Sequence, residues 1–378
     1  MADADDRLRV LVLTAGMGGG HTQIARELRR RLVERGHDVV LADLLDLMPP
    51  PTGAWLGRTY PWLVERAPWL YDRVYEVFFL ARQRAGERVG LPVRLALPGL
   101  RRLVRRFAPH AVVSTYHLAA LAAGRLRERG ELAAPAVTLI TQWAVHDLWI
   151  HPAADLELTI CAPAAVEARR RSGRPARSVG PVVRPDFAAV PLPGAVERTR
   201  HELGLRPDRR AALVVTGSMG LAGSAERAVA AVAGHGGWTP VVVAGRNERL
   251  RERLARHPGA VVLGWVDDMP SVMAACDVLV DNACGTTAKE ALRLGLPVVT
   301  FRPIAGHGRD DARSLAALGL TDLVEDETAL PDALDRLTAD PAGRADRVAR
   351  GRALFTGDAA AEVARLARAY ARSTTGAS

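Results

Sequence analysis

Residues 277–301 read DVLVDNACGTTAKEALRLGLPVVTF. An apolar run closes on Asp281, Asn282 to Thr287 make a tight turn, and a helical pattern follows to Leu294. A second apolar run, 297–301, comes after Gly295. Strand, turn, helix and strand in this order form a βαβ unit, which places the two strands side by side and parallel. The helix start offers the N–H of Gly285 and the hydroxyls of Thr286 and Thr287 to an anion, and a diphosphate fits such a site. Glu290, one turn further in, is placed to accept hydrogen bonds from two adjacent hydroxyls, as a ribose offers.

Working outward, the same alternation fills the rest of the second half. Strands are expected at 211–217, 240–245, 260–263 and 277–280, with helices at 224–233 and 246–256. The strand AALVVTG ends in Gly217-Ser218-Met219-Gly220, a second glycine loop on the same sheet edge. The first half repeats the pattern, with strands near 8–14, 37–42, 111–114, 136–140, 156–160 and 177–179, and helices at 21–35 and 160–172. Continuous apolar strands separated by helices imply parallel sheets covered on both faces. The Pro- and Gly-rich VGPVVRPDFAAVPLPG at 179–194 reads as a linker. The fold expected is α/β: two Rossmann-like, doubly wound domains, 1–186 and 187–357, facing across a cleft. A closing helix at 358–372 carries Ala, Val and Leu on one face.

The first strand ends in LVLTAGMGGGH, residues 11–21. A dinucleotide fingerprint counted from Gly16 needs glycine where His21 stands, and no acidic residue closes the second strand clearly, although Asp43 and Asp46 are near. A Walker A loop needs Gly-Lys-Ser/Thr, and Lys289, the only lysine, is elsewhere. The remaining reading is a glycine turn that admits substrate to the backbone, with an imidazole at the start of the next helix. The positive end of that helix helps keep the ring neutral and able to accept a proton. A simple helix-capping role for His21 is the bland alternative.

Composition limits the function classes. With 378 residues, 48% hydrophobic and 25% charged, and a mean hydropathy of +0.02, the chain supports two well-packed domains. Three cysteines without metal-ligand spacing fit a reducing compartment. The acidic N-terminus reads as no secretory signal, and no window reaches the roughly 18 apolar residues a spanning helix needs. The expected location is the cytoplasm. The net charge of +9 comes almost wholly from arginine and accompanies no nucleic-acid motif, so no nucleic-acid partner is expected.

The stretch 55–108 stands apart, with Trp55, Trp62 and Trp69 at seven-residue spacing among tyrosines, phenylalanines and many arginines. Pro61 and Pro68 are expected to break any single helix there. Two readings stand: a peripheral surface for anionic membrane on the inner face of the plasma membrane, with Trp and Arg at headgroup level, or ordinary helices packed on the first sheet.

These motifs, taken in order, resemble the monogalactosyldiacylglycerol synthase and diacylglycerol glucosyltransferase family. They are similar, more distantly, to the N-acetylglucosaminyltransferase that forms lipid II, all with the glycosyltransferase-B fold. The segments that carry the resemblance are GMGGGHTQIARELRRRL, TQWAVHDLWIHPAAD, GPVVRPDF, VTGSMG, VVVAGRN, GWVDDM and ACGTTAKEALRLGLPVV. The resemblance implies an inverting, metal-independent transfer of a hexose from a UDP-sugar to a hydroxyl of a lipid, diacylglycerol-like acceptor, with no other cofactor.

It implies His21 as the base. On the donor side it implies Gly20, Arg184, Gly217, Ser218, Val266, Met269, Gly285, Thr286, Thr287 and Glu290. The acceptor side would take Gly18, Gly19, Gln142, His146 and Trp149, with His151 beside them. Three departures stand out. Gln142 replaces an aspartate usual in the family, and the turn that family members often write Pro-Gly-Thr reads Cys284-Gly285-Thr286, with Cys284 in place of the proline. A Gln-containing sugar-reading loop is replaced by GHGRDDARS, which makes His307, Asp310 and Asp311 the nearest candidates to read sugar hydroxyls. Rival readings are transfer to a soluble natural product, a nucleotide-sugar 2-epimerase, and a non-catalytic nucleotide-sugar-binding protein.

Overall fold

A computed structural model of the chain describes residues 7–17, 19–66, 90–189, 191–216, 224–304 and 306–375. Among them the strands form two parallel six-stranded sheets. The first holds β1 (Arg9–Thr14), β2 (Asp38–Asp43), β3 (Ala111–Ser114), β4 (Ala136–Ile140), β5 (Leu156–Thr159) and β6 (Ala176–Ser178), in the order β2-β1-β3-β4-β5-β6. The second holds β7 (Arg210–Val215), β8 (Trp238–Val243), β9 (Val261–Leu263), β10 (Val278–Asp281), β11 (Val298–Phe301) and β12 (Thr321–Val324), in the order β12-β11-β10-β7-β8-β9. The chain divides into two compact units, Met1–Val182 with Thr356–Ser378, and Val183–Phe355. The division falls earlier than the expected 186/187 and assigns Arg184 to the second unit.

The pleat of β1 shows why each strand is apolar throughout. Leu11 and Leu13 point into a core closed by the helices Leu91–Phe107 and His117–Glu128, through Val93, Ala96, Leu97, Leu100, Leu118 and Leu121. Val10 and Val12 point the other way, onto Ile24, Leu28 and Leu32 of Gly19–Glu34 and Val363, Ala364 and Ala367 of the closing helix Ala359–Thr375. Alternate residues thus face opposite cores, so no position can be polar without cost. The closing helix is tied to the first unit by ion pairs from Arg35 to Asp358 and from Arg177 to Glu362. In the second unit Val214, Val242, Val280 and Phe301 pack with Val229, Val232, Leu250 and Leu334. There the buried indole of Trp238 donates to Asp335 at 2.8 Å.

Two local expectations are corrected. The helix Thr52–Arg66 runs through Pro61, which removes only the donor that would meet the carbonyl of Gly57. Packing holds it: a Cβ on Gly53 would lie 1.9 Å from the carbonyl oxygen of Leu45, so this helix lies directly on the turn Leu45–Leu47. The helix Leu91–Phe107 likewise contains Pro98 and presses Gly99 on the same turn. Pro68, Trp69 and the aromatic run that follows lie outside the described residues. The strand β12 was not expected at all.

Candidate functional site

In parallel sheets the loops that follow the strands gather at one edge, where ligands are bound. In the first unit, β1 leads through Gly16 and Met17 to the helix Gly19–Glu34, which starts two residues before His21. Asp43, at the end of β2, accepts from the backbone N–H of Gly16 and of Leu45, and burial holds its carboxyl above the usual range. A Cβ on Gly16 would come 2.7 Å from that carboxylate. Asp43 therefore braces the glycine turn. Gly18 lies outside the described residues; Gly19 and Gly20 form the first turn of the helix.

His21 sits in that first turn with Nδ1 3.1 Å from the carbonyl oxygen of Thr115, after β3, and 3.1 Å from Oγ1 of Thr141, after β4. A carbonyl can only accept, so Nδ1 carries the hydrogen, and in the neutral ring Nε2 carries the lone pair. This is the tautomer a general base needs. The ring of Tyr116 stands edge-on to the imidazole at 4.8 Å, and Trp149 lies at 6.2 Å.

Gln142 gives its Oε1 to two donors, Nε2 of His146 at 2.7 Å and Nε1 of Trp149 at 2.6 Å. It thereby fixes an imidazole and a fully buried indole with one oxygen. His117, absent from the sequence expectation, packs 4.2 Å from Tyr116 and 5.9 Å from both His146 and Trp149. Tyr116 and His117 follow β3 directly, and their position after a strand was the available signal. His151 is set apart: it is fully buried against Gly124 of the helix His117–Glu128, and its Nδ1 accepts from the N–H of Ala153.

In the second unit, β10 ends where expected. Asp281 turns its carboxylate back to accept from the N–H groups of Ala283 and Cys284, at 3.1 and 2.5 Å. Cys284 takes φ 50°, the left-handed conformation the tight turn requires. Gly285 caps the helix Thr286–Leu294, with Thr286 and Thr287 half-buried and Glu290 buried at its second turn. Asn282 donates to Ser224 at 2.6 Å. The short turn Pro185–Ala188 packs against this same helix and carries Arg184 at its start. The guanidinium of Arg184 lies over the Phe187 ring at 5.3 Å, its Nε buried without a partner among the described residues. Gly217 and Ser218 lie outside the described residues.

Val266 and Met269 follow β9, both half-buried; Asp268 caps the helix Met269–Ala274 by accepting from Ser271 N–H at 3.2 Å. Trp265, missed by the sequence reading, is exposed on this loop, with Arg246 4.5 Å over its ring. Beyond β11 a helix begins at His307. Asp310 is exposed and paired with Arg313, whereas Asp311 is buried, its charge acting on Lys289 and Cys284. Among the described residues no three His, Cys, Asp or Glu side chains are grouped to hold a metal ion.

Comparison with known proteins decides what this arrangement belongs to. Residues 21–178 match the monogalactosyldiacylglycerol (MGDG) synthase family, and residues 221–340 match glycosyl transferases group 1. A processive diacylglycerol beta-glucosyltransferase of Bacillus cereus (strain AH187) is 22% identical over 328 residues, 85% of this chain and 83% of that protein.

The protein is a glycosyltransferase of the glycosyltransferase-B fold.

Among solved structures, the glycosyltransferase-B fold recurs in the spinosyn rhamnosyltransferase SpnG complexed with thymidine diphosphate, at TM-score 0.64 and 20% identity, covering 95% of this chain and all of that one. MurG of Acinetobacter baumannii follows at TM-score 0.59 and 15% identity, with 96% and 99% covered. The resemblance drawn from the motifs, including its more distant branch, is borne out.

Proposed function

We propose that this glycosyltransferase is inverting and metal-independent, and moves a hexose from a UDP-sugar to a hydroxyl of a diacylglycerol-like lipid. The observation that carries the reading is the tautomer of His21, whose Nδ1 hydrogen is committed to the Thr115 carbonyl. Nε2 takes the proton of the acceptor hydroxyl as its oxygen bonds to the anomeric carbon. The bond from that carbon to the diphosphate breaks, and its electron pair leaves on the phosphate oxygen. The N–H groups of 285–287, the hydroxyls of Thr286 and Thr287, Ser218 and Arg184 take up the developing charge in place of a metal. Glu290 holds the ribose hydroxyls and Val266 lies against the base. Gln142, His146 and Trp149 line the acceptor side.

Support for a lipid acceptor comes from the diacylglycerol-acting relative and from the helix Leu91–Phe107. Its buried face packs on the first core, while Arg94, Arg102, Arg105 and Arg106 are exposed. Trp55, on the helix Thr52–Arg66 that packs on the same Leu45–Leu47 turn, is 65% exposed. A basic face with exposed apolar anchors suits peripheral contact with anionic lipid on the cytoplasmic side. No helix among the described residues is long and apolar enough to cross a membrane.

The test is transfer from UDP-hexoses to diacylglycerol in anionic vesicles. His21→Ala should lower kcat on the order of 10²-fold or more while leaving UDP affinity unchanged. Turnover near that of the wild type would remove the base role. Transfer only to soluble aglycones would redirect the acceptor.

A further inference from the structure

Beneath the donor turn lies a charge that no part of this mechanism uses. Lys289 is the only lysine among 51 basic residues, and it is 3% exposed. Its Nζ donates to the carbonyl oxygens of Gly285, at 3.2 Å, and Cys284, at 3.4 Å, the residues that form the turn. Burial pushes its pKa down, and three carboxylates oppose that from different directions: Asp311 from the helix His307–Ala317, Asp281 from the end of β10, and Glu290 beside it. All three are buried, so water screens little of their field. A turn that must receive a diphosphate therefore sits over a group of acids with one ammonium among them.

The two carbonyl contacts are at the long end of hydrogen bonding and fix little by themselves. The charge matters more. Arginine, which serves everywhere else in this chain, would bring a planar fork of five donors to a spot that offers two carbonyls. A compact ammonium fits.

We propose that Lys289 is a positioning residue for donor binding, the buried counter-charge that keeps the turn 282–287 attractive to a diphosphate. Without it, the carboxylates of Asp281, Asp311 and Glu290 lose the ammonium that opposes their field at the turn. This inference rests on the nucleotide-sugar reading above. It adds that diphosphate selectivity is set one layer below the residues that touch the ligand.

Calorimetric titration of the full chain with UDP and with uridine tests it. Uridine lacks the phosphates, so its affinity reports the pocket's shape and UDP adds the charge. Lys289→Met should weaken UDP about 10-fold or more and uridine less than threefold. Adding Asp311→Asn to that variant removes a facing charge and should return most of the UDP affinity. Where Lys289→Met alone does not fold, the double variant carries the test, because its pair is neutral as in the wild type and should keep the wild-type UDP-to-uridine ratio. Equal losses for both ligands, or no recovery in the double variant, would overturn the inference and leave Lys289 a packing residue. A wild-type chain that binds neither ligand would instead overturn the nucleotide-sugar reading itself.

Discussion

The Thr115 carbonyl and the Gln142 amide do at residue scale what carboxylates do in many catalytic sites: each fixes which ring nitrogen carries hydrogen. Gln142 can be tested apart from chemistry. Gln142→Leu leaves the buried Trp149 N–H without its acceptor and should cost about 1–3 kcal/mol in chemical unfolding, whereas Gln142→Glu keeps an oxygen there and should cost less. A second residue gives a pH signature. Glu157 on β5 is fully buried, accepts from Ser172, and is pushed up to about 7 by burial, from an ordinary 4.5. Below pH 4.5 it is protonated in folded and unfolded chains alike and contributes no difference. As pH rises toward 7 the unfolded chain ionises freely while the fold resists. The penalty grows to roughly 3 kcal/mol and then levels off. Glu157→Gln should therefore gain stability over the wild type across that window, read from denaturant midpoints at several pH values. A difference independent of pH would contradict this.

At the scale of elements, what was legible follows from how local each signal is. The strands flanking 282–296 were readable because both faces of β10 and β11 are buried, which leaves an unbroken apolar run. The edge strand β12 was not, because Asp322 pairs with Arg347 and only its ends are buried, so no run appears. The helix through Pro61 was misread because packing on Leu45 outweighs one lost hydrogen bond, and packing partners do not show in sequence. Likewise nothing about Lys289, between Ala288 and Glu290, announces burial. The same helix packing makes a prediction. Gly99→Ala would put a Cβ 2.2 Å from the Leu47 carbonyl oxygen, and forcing the helix off the turn should cost about 1–3 kcal/mol, seen as a lowered Tm. An unchanged Tm would mean the helix does not bear on that turn.

For the whole molecule, two units with parallel sheets give two edges for ligands, one carrying His21 and the other the turn 282–287. Binding at the second edge should stabilise the chain by linkage, about 2.7 kcal/mol at a UDP concentration of 100 Kd. Glu290→Ala should lose most of that gain in a thermal-shift titration, and an equal gain in both proteins would place the nucleotide elsewhere. The central claim, base-assisted inverting transfer, is most directly tested by product. Wild type and His21→Ala are incubated with a UDP-hexose of known anomeric configuration and diacylglycerol vesicles, and the glycolipid is read by NMR. The account predicts a product of inverted anomeric configuration from the wild type, and on the order of 10²-fold less of it from the variant at equal UDP affinity. A retained configuration, or a variant as fast as the wild type, would contradict it.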